Sequence, residues 1–106
     1  MIKKLLLILF VTFCSIGFAQ SSISNLESTP NPFSESTIIK FNSTANQSAF
    51  FTVKNILGKT VYRGYIAAKK GNNSYPFKRG DLVAGIYIYA VQTANNDFIS
   101  KRFVIK

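Results

Sequence analysis

Ala49-Phe50-Phe51-Thr52-Val53-Lys54-Asn55 changes character with a period of two residues. Side chains of an extended strand point alternately to opposite faces, so Ala49, Phe51 and Val53 share one side while Phe50, Thr52 and Lys54 share the other. The wholly apolar set is expected in a core and the mixed set on the outside.

The same vocabulary continues on both sides of this run. From Pro30 onward, short β-branched and aromatic stretches are punctuated by Gly, Asn and Pro about every ten residues, which is the pattern of an all-β sandwich or barrel. Strands are expected over residues 37–41, 49–55, 60–67, 73–77, 86–93 and 98–105, with a weaker seventh around 23–26. That inventory suits a two-sheet sandwich of about six or seven antiparallel strands, and no segment has a convincing helical period. In Ile86-Tyr87-Ile88-Tyr89-Ala90-Val91 both faces are rather apolar, as in a central strand covered on one side and partly on the other. In residues 98–106, Ile99, Lys101, Phe103 and Ile105 compete with Phe98, Ser100, Arg102 and Val104, so alternation leaves the register open.

The connections have a mechanism too. Gly58, in Asn55-Ile56-Leu57-Gly58-Lys59, can take the positive φ of a tight reversal. Lys70-Gly71-Asn72 and Asn95-Asn96-Asp97 use residues that tolerate the left-handed region. Pro30 and Pro32 bias Thr29 and Asn31 towards extended geometry, so Thr29-Pro30-Asn31-Pro32-Phe33 is expected to be a stiff, extended lead-in. Leu82 and Ile86 are expected to anchor a crossing loop on the core.

Residues 1–19 have the plan of a cleavable signal peptide: Lys3 and Lys4, a mostly apolar stretch from Leu5 to Ile16, then the small residues Gly17 and Ala19 before a cut ahead of Gln20. The apolar run is short for a membrane span, and Phe13 is too bulky beside Cys14 for a lipoprotein signal. Residues 20–29 are polar and are expected to be a short linker or leader, or else a weak first strand. Residues 30–106 form one small domain, with no room for an enzyme plus a partner module.

Absences narrow the chemistry. There is no histidine, and the single cysteine, Cys14, lies in the leader. Imidazole acid–base work, thiol nucleophiles and the usual zinc sets are therefore excluded, and stability must come from packing without disulfides. The four acids are Glu27, Glu35, Asp81 and Asp97; Asp81 and Asp97 occupy positions suited to local hydrogen bonding rather than to a glycosidase pair. No catalytic residue, cofactor or metal site is expected, and the chain is not expected to be an enzyme. The formal net charge is +9. The dibasic pairs Lys69-Lys70, Lys78-Arg79 and Lys101-Arg102, with five tyrosines, have the ingredients of a single-strand binder. An export signal argues against nucleic acid and leaves anionic lipopolysaccharide, a membrane surface or an acidic protein, with solvated edge lysines as the simpler account.

Five ordered blocks remain: Pro30-Asn31-Pro32-Phe33, Ile38-Ile39-Lys40-Phe41, Val53 to Lys59, Leu82 to Tyr89, and Lys101 to Lys106. In this order and spacing they resemble the type A C-terminal sorting domain of the type IX secretion system of Bacteroidetes, the Por secretion system sorting domain family. The similarity spans about Ser28 to Lys106. It implies an immunoglobulin-like β-sandwich that is the substrate of a secretion machine. It further implies Sec export with signal-peptidase processing, recognition by the type IX translocon, a cut by its sortase-like protease, and a final place in the medium or on the outer cell surface. The residues expected to carry recognition are Pro30, Asn31, Pro32, Gly58, Gly85, Tyr87, Lys101, Arg102 and Lys106. Members normally have a large cargo between signal and sorting domain, whereas here only residues 20–29 lie there. A miniature secreted protein, a fragment of a longer gene and a free-standing adapter all remain open. The alternative function is a small secreted adhesion or carbohydrate-binding module, which requires an exposed cluster of Tyr62, Tyr65, Tyr87 and Tyr89.

Overall fold

A computed structural model describes residues 21–106. The expected signal peptide and its expected cleavage point lie outside the described residues. Seven antiparallel strands follow one another: β1 Ile23–Thr29, β2 Ser36–Ser43, β3 Gln47–Lys54, β4 Thr60–Ala68, β5 Gly71–Lys78, β6 Gly85–Thr93 and β7 Phe98–Ile105. One sheet has the order β1-β2-β5 and the other β4-β3-β6-β7. There is no helix among the described residues.

The two sheets bury their apolar faces against each other. Ala49, Phe51 and Val53 are each 0% exposed, as their alternation requires. They meet Ile39, Phe41 and Phe77 from the smaller sheet and Tyr89, Val91 and Phe103 from the larger one. Rings fill much of the interior: Phe103 stacks on Tyr89 with centroids 4.9 Å apart, and Phe33 meets Phe103 edge-on at 5.0 Å. Such pairs add about 0.5–1.5 kcal/mol each beyond the area they bury.

Residues 23–29 are a strand, not a leader. Ile23, Leu26 and Ser28 all point inward, a spacing that breaks the two-residue alternation. The cause is a bulge between Ser24 and Glu27, where the register against β2 shifts and Asn25 takes φ 56°. One extra residue turns the following side chains to the other face. The sandwich therefore begins before Pro30, and the proline segment lies inside it.

In β7 the set containing Phe103 and Ile105 faces the core, leaving Lys101 on the inward phase yet exposed, at the edge of the interior. Ile86 points outward and is 49% exposed, so it does not anchor the crossing loop; Leu82 and the buried Tyr87 do. Along the seam between β4 and β5, the Tyr62 and Tyr75 hydroxyls share a hydrogen bond. Gly64 lies directly beneath, where a Cβ would collide with the Tyr75 hydroxyl. Burial first, and then the Tyr62 bond, push the Tyr75 phenol up to about 12.

Candidate functional site

Most of the singled-out blocks meet at one end of the sandwich, although they are far apart in the chain. The proline segment leaves β1, crosses to the larger sheet and returns to β2. On the way it pairs with the outer edge of β7. The Asn31 side chain acts as a short strand: its Nδ2 donates to the Arg102 carbonyl at 3.2 Å and its Oδ1 accepts from the Val104 amide at 3.0 Å. Phe33 continues the ladder with its main chain, donating to Val104 at 3.0 Å and accepting from the Lys106 amide at 2.9 Å. Its ring is buried against Phe103 and Phe77. The buried Thr37 hydroxyl donates to the Pro30 carbonyl at 2.8 Å and so ties the clip to β2. The expected straight lead-in is instead a bent clip, because Asn31 and Phe33 have hydrogen-bond partners on β7 that only the folded chain supplies.

A second device locks this end. The half-buried Arg79 guanidinium donates to three main-chain oxygens: Leu82 through Nε and Nη2, at 3.1 and 2.9 Å, and Ser34 and Lys106 through Nη1, at 3.1 and 2.8 Å. One planar cation thus joins the clip, the end of β7 and the loop before β6, a task suited to a rigid fork of donors. The sequence reading leaves Lys78-Arg79 as part of a basic binding face or, more simply, as a solvated pair, and Arg79 is instead bonded within the fold. Arginine type and position carry no local signal of this role, since its acceptors are main-chain oxygens of other segments.

The loop ahead of β6 and the β3–β4 turn complete the pole. The Tyr87 hydroxyl donates to the Val83 carbonyl at 2.7 Å, holding the loop from inside. Asn55 Oδ1 accepts from the Leu57 and Lys59 amides, both at 3.0 Å, and Gly58 takes φ 81°. Between loop and turn runs an open, mainly apolar groove lined by Ile56, Leu57, Val61, Leu82, Val83 and Ile86. Leu57 is 88% exposed, Ile56 78% and Val83 73%. Sequence reasoning did not single out these three side chains, although an apolar pair at a turn tip is itself a visible anomaly.

Of the expected recognition residues, Pro30, Asn31, Pro32, Gly58, Arg102 and Lys106 are exposed at this pole, and Gly85 is half-buried with φ 157°. Tyr87 is buried, so any contribution from it runs through the loop it holds. Lys101 lies apart, in an open polar groove with Asn25, Glu27, Lys40, Asn42 and Asn73. The β6 strand is hydrogen-bonded on both sides, and the clip already occupies the edge of β7 from Arg102 to Lys106. Neither strand therefore offers a bare edge there.

Residues 29–106 match the family described as the secretion system C-terminal sorting domain. The chain belongs to that family. It carries a type IX sorting domain, the mark of a secreted or cell-surface protein, and that domain's interaction is with the type IX machinery. β1 lies almost entirely ahead of the matched span but completes the sorting domain's smaller sheet. No curated protein matches the sequence. Among solved structures, the chain is similar to a mutant (D270A) β-glucosidase from Listeria innocua in complex with laminaribiose, at 12% identity and a TM-score of 0.44. That likeness covers 85% of this chain but only 17% of the β-glucosidase chain, and it carries no argument about function.

The tyrosine face required by a carbohydrate-binding module is not formed. Tyr87 and Tyr89 are 5% and 1% exposed, Tyr62 is half-buried against the core, and of the four only Tyr65 is open to solvent. The inward phase of β6 puts Tyr87 and Tyr89 into the interior beside Phe103.

Proposed function

We propose that this domain acts as a non-catalytic docking signal that the type IX machinery grips at the pole made by the Pro30 clip, the β3–β4 turn and the loop ahead of β6. After Sec export and removal of residues 1–19 by signal peptidase, the folded domain presents this pole to the translocon. It then passes to the outer surface or the medium, where the sortase-like protease cuts. The observation that carries the reading is the convergence of the proline, Asn55–Lys59, Leu82–Tyr87 and C-terminal blocks on one rigid end, next to the exposed side chains Ile56, Leu57 and Val83. Apolar side chains held out on a rigid, hydrogen-bonded frame lose little entropy on docking.

Deleting Lys101 to Lys106 would be a blunt test, because it also removes Phe103 and Ile105 from the core. A cleaner test is the double substitution Ile56→Ser and Leu57→Ser, whose side chains are largely exposed. The tagged protein would be quantified by mass spectrometry in medium, outer membrane and periplasm, with and without a working translocon. The wild type should reach the surface or the medium only with the translocon, and the variant should stay in the periplasm. A variant distributed like the wild type, beside a Lys70→Ser control at the other end, would overturn the assignment of the pole.

A further inference from the structure

The outer face of the larger sheet differs from every other surface of the domain. Across β4-β3-β6-β7 the register aligns Tyr65, Phe50, Gln92 and Phe98 in one row and Arg63, Thr52, Ala90 and Ser100 in the next. Lys54, Ile88 and Arg102 form a third row, and Ile86 and Val104 a fourth. Phe50, Tyr65, Ile86, Ile88 and Phe98 are all more than a third exposed. The charged residues on these strand positions are Lys54, Arg63 and Arg102, all cations. The Arg63 guanidinium sits 4.4 Å from the centroid of the Phe50 ring. The smaller sheet's outer face, by contrast, presents mainly Ser24, Glu27, Lys40, Asn42, Asn72 and Ser74, with Ile38 its one large exposed apolar side chain.

We infer that this apolar and cationic face docks on the anionic headgroups of a lipid bilayer, a contact that meets the pole of the sorting reading only at Ile86 and Arg102. The arrangement of charge favours lipid over protein. A protein-binding patch tends to exclude charge from its centre and place it on a rim. Here Arg63 lies over a ring, and Lys54 and Arg102 flank Ile88, so cations and apolar groups alternate across the face. At a bilayer surface the rings and aliphatic chains enter the headgroup boundary while long basic side chains reach the phosphates beside them. Strands about 4.8 Å apart make the four-stranded sheet a platform on the order of 15 Å wide.

The test is flotation of the purified chain with phosphatidylcholine vesicles, with and without about one-third phosphatidylglycerol, at low and high salt. Binding is expected only to the anionic vesicles and should fall as salt is raised. With each basic residue near the surface contributing about a factor of five, the double substitution Arg63→Gln and Arg102→Gln should weaken binding by about twenty- to thirtyfold. Ile88→Ser should weaken it independently. Lys40→Gln with Lys78→Gln removes the same charge from the opposite sheet and should change binding far less, with circular dichroism confirming that every variant folds. Failure of the wild type to bind, equal binding to neutral vesicles, or equal loss in the Lys40/Lys78 variant would each overturn the inference. So would a dimer that Ile88→Ser disperses, since the face would then be an interface between copies. None of these results depends on secretion, so the docking-pole reading stands or falls separately.

Discussion

The two ends of the sandwich are closed by opposite chemistry. At the Pro30 end, a cation donates outward: Arg79 gathers main-chain oxygens of Ser34, Leu82 and Lys106, and Asn31 pairs with β7 across 71 to 73 positions of sequence. At the Ser22 end, short polar side chains accept from main-chain amides and from one another, within a turn at Asn73 and across 75 positions from Asp97 to Ser22. Asn73 Oδ1 accepts from the Lys69 amide at 2.9 Å, Asn46 Oδ1 from the Lys70 amide at 2.8 Å, and Asp97 receives both the hydroxyl and the amide of Ser22. Only the first end combines long crossing segments with exposed apolar tips. A surface meant to be gripped needs such tips on a fixed frame, whereas a turn that merely reverses the chain needs only its own Asn, Ser or Gly.

The contrast can be attacked where it is strongest. Arg79→Ala leaves three main-chain oxygens without their charged donor and should cost about 2–3 kcal/mol in urea unfolding. Arg79→Lys should recover only part of this, because an ammonium lacks the planar fork. Stability equal to wild type would show that the pole does not depend on its cation. Asn31→Ala removes two hydrogen bonds from an exposed site and should cost about 1 kcal/mol, with faster hydrogen exchange at the Val104 amide as the local sign. Unchanged exchange there would mean that Phe33 alone keeps the clip on β7.

The smallest effect separates the two ends by pH. The Ser22 hydroxyl, and then its amide, hold the Asp97 carboxyl below its usual range. Stabilisation from a depressed carboxyl is fully present above the unfolded value, near 3.9, and is lost as pH falls through the folded value. Acid should therefore loosen the Ser22 end, while the Arg79 guanidinium at the Pro30 end keeps its own charge. Asp97→Asn should flatten the acid limb of the stability profile, and an identical limb in that variant would rule the contact out as its source.

The strand runs were largely legible because each carries its own alternation. Residues 49–55 needed no partner to show which face would be buried, and the turns at Gly58, Gly71 and Asn96 announced the positive φ they adopt. β1 was hard to read because its bulge places Ile23, Leu26 and Ser28 on one face at spacings that period two does not allow. The register of β7 was ambiguous because an exposed lysine occupies its inward phase. At the candidate site, Pro30, Asn31 and Pro32 could be flagged from their motif, but nothing local to them specified β7 as their partner. Arg79 looked like any surface arginine.

Taken alone, the order and spacing of residues determined the all-β class, most strand positions, the turn chemistry and the sorting-domain family, because each depends on neighbours within a few positions or on a linear pattern. The tertiary structure alone decided that Asn31 completes the edge of β7, that Arg79 bridges three segments, and that Ile56, Leu57 and Val83 stand together at one end. Those facts depend on atoms brought within hydrogen-bond or van der Waals range from distant parts of the chain, and such proximity exists only once the two sheets have packed.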